Sequence, residues 1–285
     1  MNLNRPARPP TSLLLLVAII LSVLPPAFSL DHATAQGDDL EELRWTTIDS
    51  PFVLASSVEI EPGVRLVIEA GVEVRFDEGA GLQVRGALTV EGTEARPVRF
   101  LPNTTGAIEP DYWADVRLMP ERTDLESTLE WAEFQGADSG LLVSSARAVV
   151  GHCTFTKNRY GVLARGSANV EVTDCDFLNN SVLGLEWESG AEGFAEGCAF
   201  EENVVGVYCY QNVSPRVRDC EFRANYHHLS FAKGGNATVE SCVLLNSSAE
   251  AVECYWNSSP LFRDVTFSEP DETTLFLRHD SRPRF

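Results

Sequence analysis

Two stretches of this 285-residue chain, VYCYQNVSPRVRDCEF at Val207–Phe222 and VECYWNSSPLFRDVTF at Val252–Phe267, follow the same pattern. Nine of their sixteen positions are identical, and the two copies lie 45 residues apart. Self-similarity at a fixed spacing is typical of repeat architectures. The unit that these two stretches share recurs along much of the chain.

The spacing between equivalent residues is close to 22. Five cysteines are separated by 22 or 23 residues, and each is followed two positions later by Phe or Leu. An asparagine comes three positions after Phe in four of these repeats. The two columns are Cys153, Cys175, Cys198, Cys220, Cys242 and Asn158, Asn180, Asn203, Asn225. We expect the asparagines to form an amide hydrogen-bond ladder at a turn that needs a left-handed residue.

Within each repeat the apolar positions alternate with a period of two, which indicates strands. Turns rich in Asn, Gly, Ser and Pro separate the strands. Strands that stack in this way, coil on coil, form a parallel β-helix. A second inward column is predicted, in which large and small residues alternate: Val143, Ala164, Trp187, Cys209, Phe231, Cys254, Leu277.

Residues 58–101 carry a denser version of the same strand pattern, including EPGVRLVIEAGVEVRFDEGAGLQVRGALTVEGT at Glu61–Thr93. With Tyr112-Trp113 and the C-x-F-x-x-N-x-x-G repeats, this stretch resembles the secreted right-handed parallel β-helix proteins of the pectate-lyase-like superfamily. The resemblance covers about residues 51–285 and implies an all-β, single-stranded right-handed parallel β-helix of about ten coils.

The first 29 residues have the pattern of a secretory signal peptide. Arg5 and Arg8 precede an apolar run of twelve residues, Leu13–Leu24, and small residues surround the cleavage position after Ser29. The run is shorter than the ~20 residues that span a bilayer. We expect a secreted or cell-surface protein, periplasmic in a Gram-negative bacterium. An uncleaved N-terminal anchor is the alternative, and it would be the only membrane contact.

The expected organisation is a signal peptide over 1–29, a linker with an N-terminal cap over 30–50, and the β-helix over 51–285. DDLEELRW at Asp38–Trp45 is predicted to form a short capping helix. Leu275–Phe285 repeats the pattern of Val252–Phe262 and stops in mid-coil. We expect further chain or another subunit to cover this edge, because an open solenoid end exposes unpaired strand edges.

The formal net charge is −20, and it becomes −22 when residues 1–29, with two arginines and no acidic residue, are removed. A field of this sign repels nucleic acid and anionic lipid. It also disfavours anionic polymers such as pectin or alginate as ligands. No nucleic-acid partner is therefore expected, whereas a polysaccharide or another cell-envelope glycan is compatible with the composition.

The strand that follows each asparagine places a second set of side chains outward. Glu186 and Glu188 lie there beside Arg165, and we take these three as the candidate catalytic group, because glycosidases use carboxyl pairs ~5 to 9.5 Å apart. A solvated acidic face is the alternative. Aromatic rings beside carboxylates can stack on sugars and bond their hydroxyl groups. The candidate ligand-binding residues are Tyr208, Tyr210, Glu253, Tyr255 and Trp256.

The catalytic signatures of the superfamily that the chain resembles are mostly missing. Of the polygalacturonase pattern only Gly151-His152 is present, and no full calcium and base set of a pectate lyase is visible. Lys157 and Lys233 are the only lysines, which disfavours a lysine base. We therefore expect a non-catalytic exported β-helix that offers a rigid face to glycans. The alternatives are a polysaccharide lyase, glycoside hydrolase or epimerase, and a copper-accessory-like β-helix protein of the periplasm.

The cysteine column is predicted to be buried and reduced, because in-register parallel side chains do not reach the torsion of a disulfide. His227-His228 stands where other coils have x-Gly, and we expect it in a solvated turn. No metal site and no cofactor are expected, with calcium as the alternative. Six Asn-x-Ser/Thr sequons occur, and Pro260 disfavours the one at Asn257. The remaining candidate glycosylation sites are Asn103, Asn179, Asn212, Asn236 and Asn246.

Overall fold

The computed structural model describes residues 40–268 and 274–285. Over these residues the chain forms thirty β-strands, numbered β1 to β30 in chain order, and no helix. The strands belong to three parallel sheets of ten strands each, called sheets A, B and C here. Sheet A contains β1 (Glu41–Trp45), β4 (Val64–Glu69), β7 (Ala87–Glu91), β10 (Glu126–Glu130), β13 (Arg147–Gly151), β16 (Asn169–Thr173), β19 (Glu192–Glu196), β22 (Arg216–Arg218), β25 (Thr238–Glu240) and β28 (Leu261–Arg263). Sheet B contains β2 (Phe52–Leu54), β5 (Glu73–Phe76), β8 (Val98–Pro102), β11 (Ala132–Gln135), β14 (Thr154–Thr156), β17 (Asp176–Leu178), β20 (Ala199–Glu201), β23 (Glu221–Arg223), β26 (Val243–Leu245) and β29 (Thr266–Ser268). Sheet C contains β3 (Val58–Ile60), β6 (Leu82–Val84), β9 (Trp113–Leu118), β12 (Ala137–Ser144), β15 (Tyr160–Arg165), β18 (Leu183–Glu188), β21 (Val205–Tyr210), β24 (His227–Ala232), β27 (Val252–Cys254) and β30 (Leu275–Leu277).

Each coil contributes one strand to sheet A, the next to sheet B and the third to sheet C. A strand pairs in parallel with the strands three before and three after it, so that β14 lies between β11 and β17. An isolated bridge between Leu261 and Arg284 begins an eleventh turn. The chain is thus a single right-handed parallel β-helix, and the predicted fold class, with its spacing of about 22 residues, is confirmed.

In the coils of the cysteine repeat, single residues in the left-handed backbone conformation bend the chain from sheet A to sheet B and from sheet B to sheet C. His152, with φ 52°, lies between β13 of sheet A and β14 of sheet B, and Lys157, with φ 53°, lies between β14 and β15 of sheet C. The same two positions of the next coil hold Asp174 at 51° and Asn179 at 56°. Because one left-handed residue turns an extended chain sharply, these two corners need no long loop.

Columns of side chains from successive coils fill the interior. In sheet B, neighbouring phenylalanine rings stack with their centroids 4.6 to 5.1 Å apart, which buries them completely: Phe100, Phe134, Phe155, Phe177, Phe200 and Phe222. In sheet C, the second inward column follows the predicted order and is buried as far as Cys254, with Trp187 between the smaller Ala164 and Cys209. Its predicted last member, Leu277, is 44% exposed, because it lies in the last strand of the sheet. Alternating large and small side chains fill such a core at native packing density.

A ladder of asparagines runs along the corner between sheets B and C. Asn180 donates from its main-chain N–H and from Nδ2 to Oδ1 of Asn203, over 3.0 and 2.8 Å, and Nδ2 also donates to the Phe155 carbonyl. The same bonds recur at Asn158 and Asn203. The predicted ladder at a turn with a left-handed residue is confirmed, and the positive φ belongs to the residue before each ladder asparagine, such as Asn179.

The five cysteines of the repeat form a buried column at the corner between sheets A and B. The Cys175 thiol lies 3.1 Å from the Thr173 carbonyl oxygen, to which it can donate, and its sulfur accepts the main-chain N–H of Cys153 at 3.3 Å. All seven cysteines of the chain are unbridged and buried. Burial raises the pKa of the Cys175 and Cys209 thiols, so both groups stay in the neutral form.

The first strand differs from the sequence expectation. A helix was predicted over Asp38–Trp45, but Glu41–Trp45 is strand β1, which pairs with β4 in sheet A. Leu43 and Trp45 point into the core, where Trp45 stacks on Phe52 with 4.7 Å between the ring centroids. Pairing with the second coil therefore overrides the helix propensity of the glutamates. The predicted signal peptide over 1–29 lies outside the described residues.

Candidate functional site

The outward side of sheet C carries the predicted site residues, and we call it the outer face. Along β18, Leu185 and Trp187 point into the core, so the intervening Glu186 lies on the outer face. In the sheet register, Glu186 is flanked by Leu163 of the preceding coil and Tyr208 of the following coil. The alternation of the sequence thus places this set of residues on one side of one sheet.

Glu186 is outward but not solvated, since only 7% of it is exposed. A small apolar cluster of Leu142, Leu163 and Leu183 is buried on the outer face, and Tyr208 packs against it. Burial, and to a smaller extent the charge of Glu188, raise the pKa of Glu186 to about 7, although Arg165 acts in the opposite direction. The carboxyl group can therefore hold a proton close to neutral pH.

Glu188 has a different environment from Glu186, although both lie on β18. Its Oε1 forms an ion pair with Nε of Arg165, on the preceding coil, at 2.8 Å. The Glu188 side chain is 23% exposed and that of Arg165 is 44% exposed. The three candidate catalytic residues are thus adjacent, with one protonatable carboxyl group beside one ion-paired carboxylate.

The candidate aromatic residues fall into two pairs. Tyr208 and Tyr210 have ring centroids 5.6 Å apart, and the Lys233 ammonium lies over the Tyr210 ring while it donates to the Tyr210 hydroxyl at 2.6 Å. Two coils further along, Tyr255 and Trp256 have centroids 5.8 Å apart. Burial raises the pKa of Tyr208 and of Tyr255, so both hydroxyl groups keep their protons.

Trp256 exposes the most of this aromatic set, with 45% of the residue accessible. It stands in the left-handed conformation, at φ 48°, and stacks on His279 with 5.6 Å between the ring centroids. Neighbouring Tyr255 donates its hydroxyl hydrogen to the Glu253 carboxylate. An exposed indole beside a fixed carboxylate is an arrangement that binds a sugar ring and its hydroxyl groups.

The prediction that His227-His228 forms a solvated turn is wrong. Both residues begin strand β24, and they are 9% and 0% exposed. His228 occupies the position that Gly206 has in the preceding coil, and its Nδ1 lies 3.0 Å from Nδ2 of Asn225, where it takes over from the next asparagine as the acceptor. His227 faces Glu253, with Nε2 3.5 Å from Oε1. His228 therefore belongs to the buried asparagine ladder, whereas His227 contacts an acidic residue of the next coil.

His152, the remnant of the polygalacturonase pattern, lies far from the outer face in the fold. It occupies the corner between sheets A and B, and its ring stacks on Trp131 with 4.5 Å between centroids. Glu186 and Glu188 are in sheet C. The structure therefore does not bring His152 together with the candidate carboxylates.

The sequons occupy two kinds of position. Asn179, Asn212 and Asn246 are exposed and left-handed, at φ 56° to 57°. The other two are half-buried: Nδ2 of Asn103 donates to Asp77 at 2.7 Å, and Nδ2 of Asn236 donates to the Gly234 carbonyl at 2.8 Å. A glycan attaches at Nδ2, which is bonded in Asn179 as well, to Glu202 at 2.7 Å, so the first three differ from the other two by their exposure alone.

Two features of the outer face were not found from the sequence. The apolar cluster was missed, although Leu163 at an outward position of the alternation was a signal for it. Glu250, two residues before β27, was also missed, and it lies with His227 and Glu253 in a group whose ligand atoms are within 4.8 Å of one another. This group is the one in the described residues that could hold a metal ion.

No segment of the described chain forms a helix that is long and apolar enough to cross a bilayer.

Several solved structures are similar to this chain in fold. The enzymatically active domain of tailspike protein 2 from bacteriophage CBA120 superposes with a TM-score of 0.55 at 9% identity, over 79% of this chain and 41% of that chain. The chain thus spans less than half the length of this tailspike domain. The periplasmic alginate epimerase AlgG gives a TM-score of 0.46 at 11% identity, over 82% of this chain and 78% of that chain, and the pectate lyase Pel9A gives 0.37 at 12%, over 78% and 69%. Similarities at these identities concern the fold alone.

No curated protein matches this sequence. The family model described as "Right handed beta helix region" matches residues 127–283, more than half of the chain. The match covers the repeats in which the cysteine, phenylalanine and asparagine columns are continuous. The chain therefore belongs to the right-handed β-helix family.

Proposed function

We propose that this protein is exported and that the outer face of sheet C binds a polysaccharide without cleaving it. The observation that carries the proposal is the exposed Trp256 beside Tyr255 and the fixed carboxylate of Glu253. Stacking on an aromatic ring and hydrogen bonds from hydroxyl groups to a carboxylate are how proteins hold sugars. Export rests on the signal-peptide pattern of residues 1–29.

The polysaccharide is a neutral one. The chain has 42 acidic and 22 basic residues, and the outer face itself presents Glu188 and Glu253. Two basic groups near the aromatic residues are already engaged, since Arg165 pairs with Glu188 and Lys233 lies against Tyr210. An anionic chain would be repelled by this field, whereas neutral hydroxyl groups can donate to the carboxylates.

The test compares binding of neutral and acidic polysaccharides to the full chain by affinity electrophoresis and calorimetry. Trp256→Ala should weaken binding of the neutral ligand by about tenfold or more, as expected for an aromatic hot spot. Trp131→Ala is a matched control, because Trp131 is also left-handed and stacks on a histidine but lies at the corner between sheets A and B. Equal losses in both variants, or no binding by the wild type, would overturn the proposal.

A polysaccharide-active enzyme is the second candidate, and the environment of Glu186 favours it. A carboxyl group with a pKa of about 7 can donate a proton near neutral pH, and the Glu188 carboxylate lies on the same strand. Two carboxyl groups in unlike environments are the usual pattern of acid and base assignments. Glycosidases of both stereochemical classes use such a pair.

Turnover assays separate the two candidates. The same polysaccharides are incubated with the protein and analysed for new reducing ends and for unsaturated products. We expect no turnover. Cleavage that is lost in Glu186→Gln and retained in Glu171→Gln, a substitution on sheet A, would replace the non-catalytic proposal with the enzymatic one.

A further inference from the structure

We propose that His227, Glu250 and Glu253 form a binding site for a divalent transition-metal ion, with Zn²⁺ as the reference ion. The three residues come from two successive coils: His227 begins β24, Glu250 lies two residues before β27, and Glu253 lies within β27. One ligand atom from each residue lies within 4.8 Å of the other two. The inference goes beyond the proposed function, because glycan binding by Trp256 does not need a metal.

Distances within the group suit a metal ion. Nε2 of His227 and Oε1 of Glu253 are 3.5 Å apart. Two ligands of a tetrahedral zinc ion, each at ~2.1 Å from the metal, are themselves ~3.4 Å apart. The Glu250 side chain is 32% exposed and so has room to complete the set. Its Oε2 lies 3.9 Å from Nδ1 of His227, which places the carboxylate within reach of the same imidazole.

One ring nitrogen of the histidine is already held by the main chain. Nδ1 lies 2.9 Å from the main-chain carbonyl oxygen of Glu250, which can only accept a hydrogen bond. Nε2 is the ring nitrogen that remains on the side of Glu253. Metal-binding histidines are typically oriented in this way by a carbonyl group on the other ring nitrogen.

The surroundings fix the imidazole and one carboxylate in place. His227 is 9% exposed, and the Tyr226 ring packs edge-on against it with 4.6 Å between centroids. The Tyr255 hydroxyl donates to Glu253, which is the second-shell contact that orients a ligating carboxylate. Among the described basic side chains, only His227 lies within 4.0 Å of the Glu250 and Glu253 carboxylate oxygens. Two carboxylates beside a single imidazole favour a bound cation.

The ligand set indicates the class of metal. Calcium and magnesium prefer sites made of oxygen ligands, and soft Cu(I) prefers sulfur. One imidazole with two carboxylates suits zinc and its neighbours in the first transition series. Three protein ligands also leave a coordination position open to water or to a ligand on the outer face.

The experiment uses the full chain, freed of metal with a chelator and dialysed. Zn²⁺, Mn²⁺ and Ca²⁺ are titrated separately by calorimetry, and bound metal is counted by elemental analysis after dialysis. We expect one equivalent of zinc per chain and tighter binding of zinc than of calcium. His227→Gln and Glu253→Gln should each weaken zinc binding at least tenfold, and Tyr255→Phe by about tenfold, as second-shell changes do.

Matched controls keep the result interpretable. His279→Gln removes an exposed histidine, and Glu240→Gln removes a carboxylate on sheet A; both should bind zinc as the wild type does. Thermal melts of the metal-free variants show whether each is folded. The proposal is overturned if the wild type retains no zinc, if calcium binds more tightly, or if folded His227→Gln still binds one equivalent. Polysaccharide binding by Trp256 is measured separately, so either proposal can fail alone.

Discussion

At the scale of single residues, neighbouring asparagines have opposite roles. Asn179 is exposed and left-handed, whereas Asn180 is buried and takes part in the ladder through both its main-chain N–H and its side chain. The residue type alone does not distinguish them. The difference arises because the corner places one side chain outside the coil and the next one inside it.

Replacing Asn180 with Ala should destabilise the protein by about 2–4 kcal/mol, because buried donors of Asn158 and the Phe155 carbonyl lose their partner. Asn179→Gly should change the free energy of unfolding by less than about 1 kcal/mol, since glycine accepts the left-handed conformation. Equilibrium denaturation in urea measures both. A loss for Asn180→Ala no larger than that for Asn179→Gly would contradict the role of the ladder.

Glu186 should make stability depend on pH. Its pKa is raised from the usual 4.5 to about 7 in the folded state, so the folded protein binds more protons than the unfolded chain between these values. Stability is therefore highest at low pH in this window and falls as the pH rises from about 5 to 7, by up to about 3 kcal/mol.

Glu186→Gln should remove this slope, and Glu171→Gln on sheet A should leave it unchanged. Urea denaturation at several pH values provides the measurement. If the free energy of unfolding depends on pH in the same way in the wild type and in Glu186→Gln, the carboxyl group is not buried as described.

At the scale of the element, a close approach between coils determines which residues sheet C accepts at its first positions. A Cβ atom at Gly184 would lie 2.7 Å from the Gly206 carbonyl oxygen and 3.0 Å from the Phe200 ring. Gly161 and Gly206 meet their next coil in the same way. His228 occupies the equivalent position where the phenylalanine column has changed to Leu244. The stacked rings and the glycines are therefore parts of one packing arrangement.

Gly184→Ala should cost about 1–3 kcal/mol, because the added methyl group overpacks the contact with main-chain and ring atoms. Gly106→Ala is the control, since its nearest neighbour would be the Thr104 hydroxyl at 3.5 Å. It should change stability by less than about 1 kcal/mol. Thermal and urea unfolding measure the stability of both variants. If Gly184→Ala is as stable as the wild type, the coils can separate at this point.

At the scale of the whole molecule, stability comes from contacts between neighbouring coils repeated along one axis. Each coil pairs with the coil before and the coil after it, and one continuous core runs from Leu43 to Phe262. In such repeat proteins the free energy of unfolding is approximately the sum of the stability of each coil and of the interactions between neighbouring coils. A shift of register in one coil would turn the core side chains of that coil outward.

The seven cysteines report on the register of the whole core. We expect none of them to react with a thiol reagent within minutes in the native protein, and all seven to react in denaturant without reductant, because all are buried and unbridged. Val204→Cys places a thiol at a 43% exposed position and should react at once. Fast labelling of the native wild type would show a wrong register, and fewer than seven thiols in denaturant would show disulfides.

The amino-acid sequence is sufficient to predict the repeat, the parallel β-helix and the direction in which most side chains point. A strand alternates its side chains with a period of two, and a period of about 22 residues aligns equivalent positions of successive coils, so both follow from the order of residues. The Cys, Phe and Asn columns could be read in this way, as could the outward position of Glu186 and Tyr208.

The burial of an outward side chain and the groups that it contacts depend on the tertiary structure. Glu186 is shielded from solvent because Leu163 and Leu142, which precede it by 23 and 44 residues, come from the two coils before it. His227 meets Glu250 and Glu253 because the next coil lies against it, although alternation along β24 does not show this. The burial of a side chain and its pKa depend on contacts between coils. The local sequence pattern contains no information about these contacts.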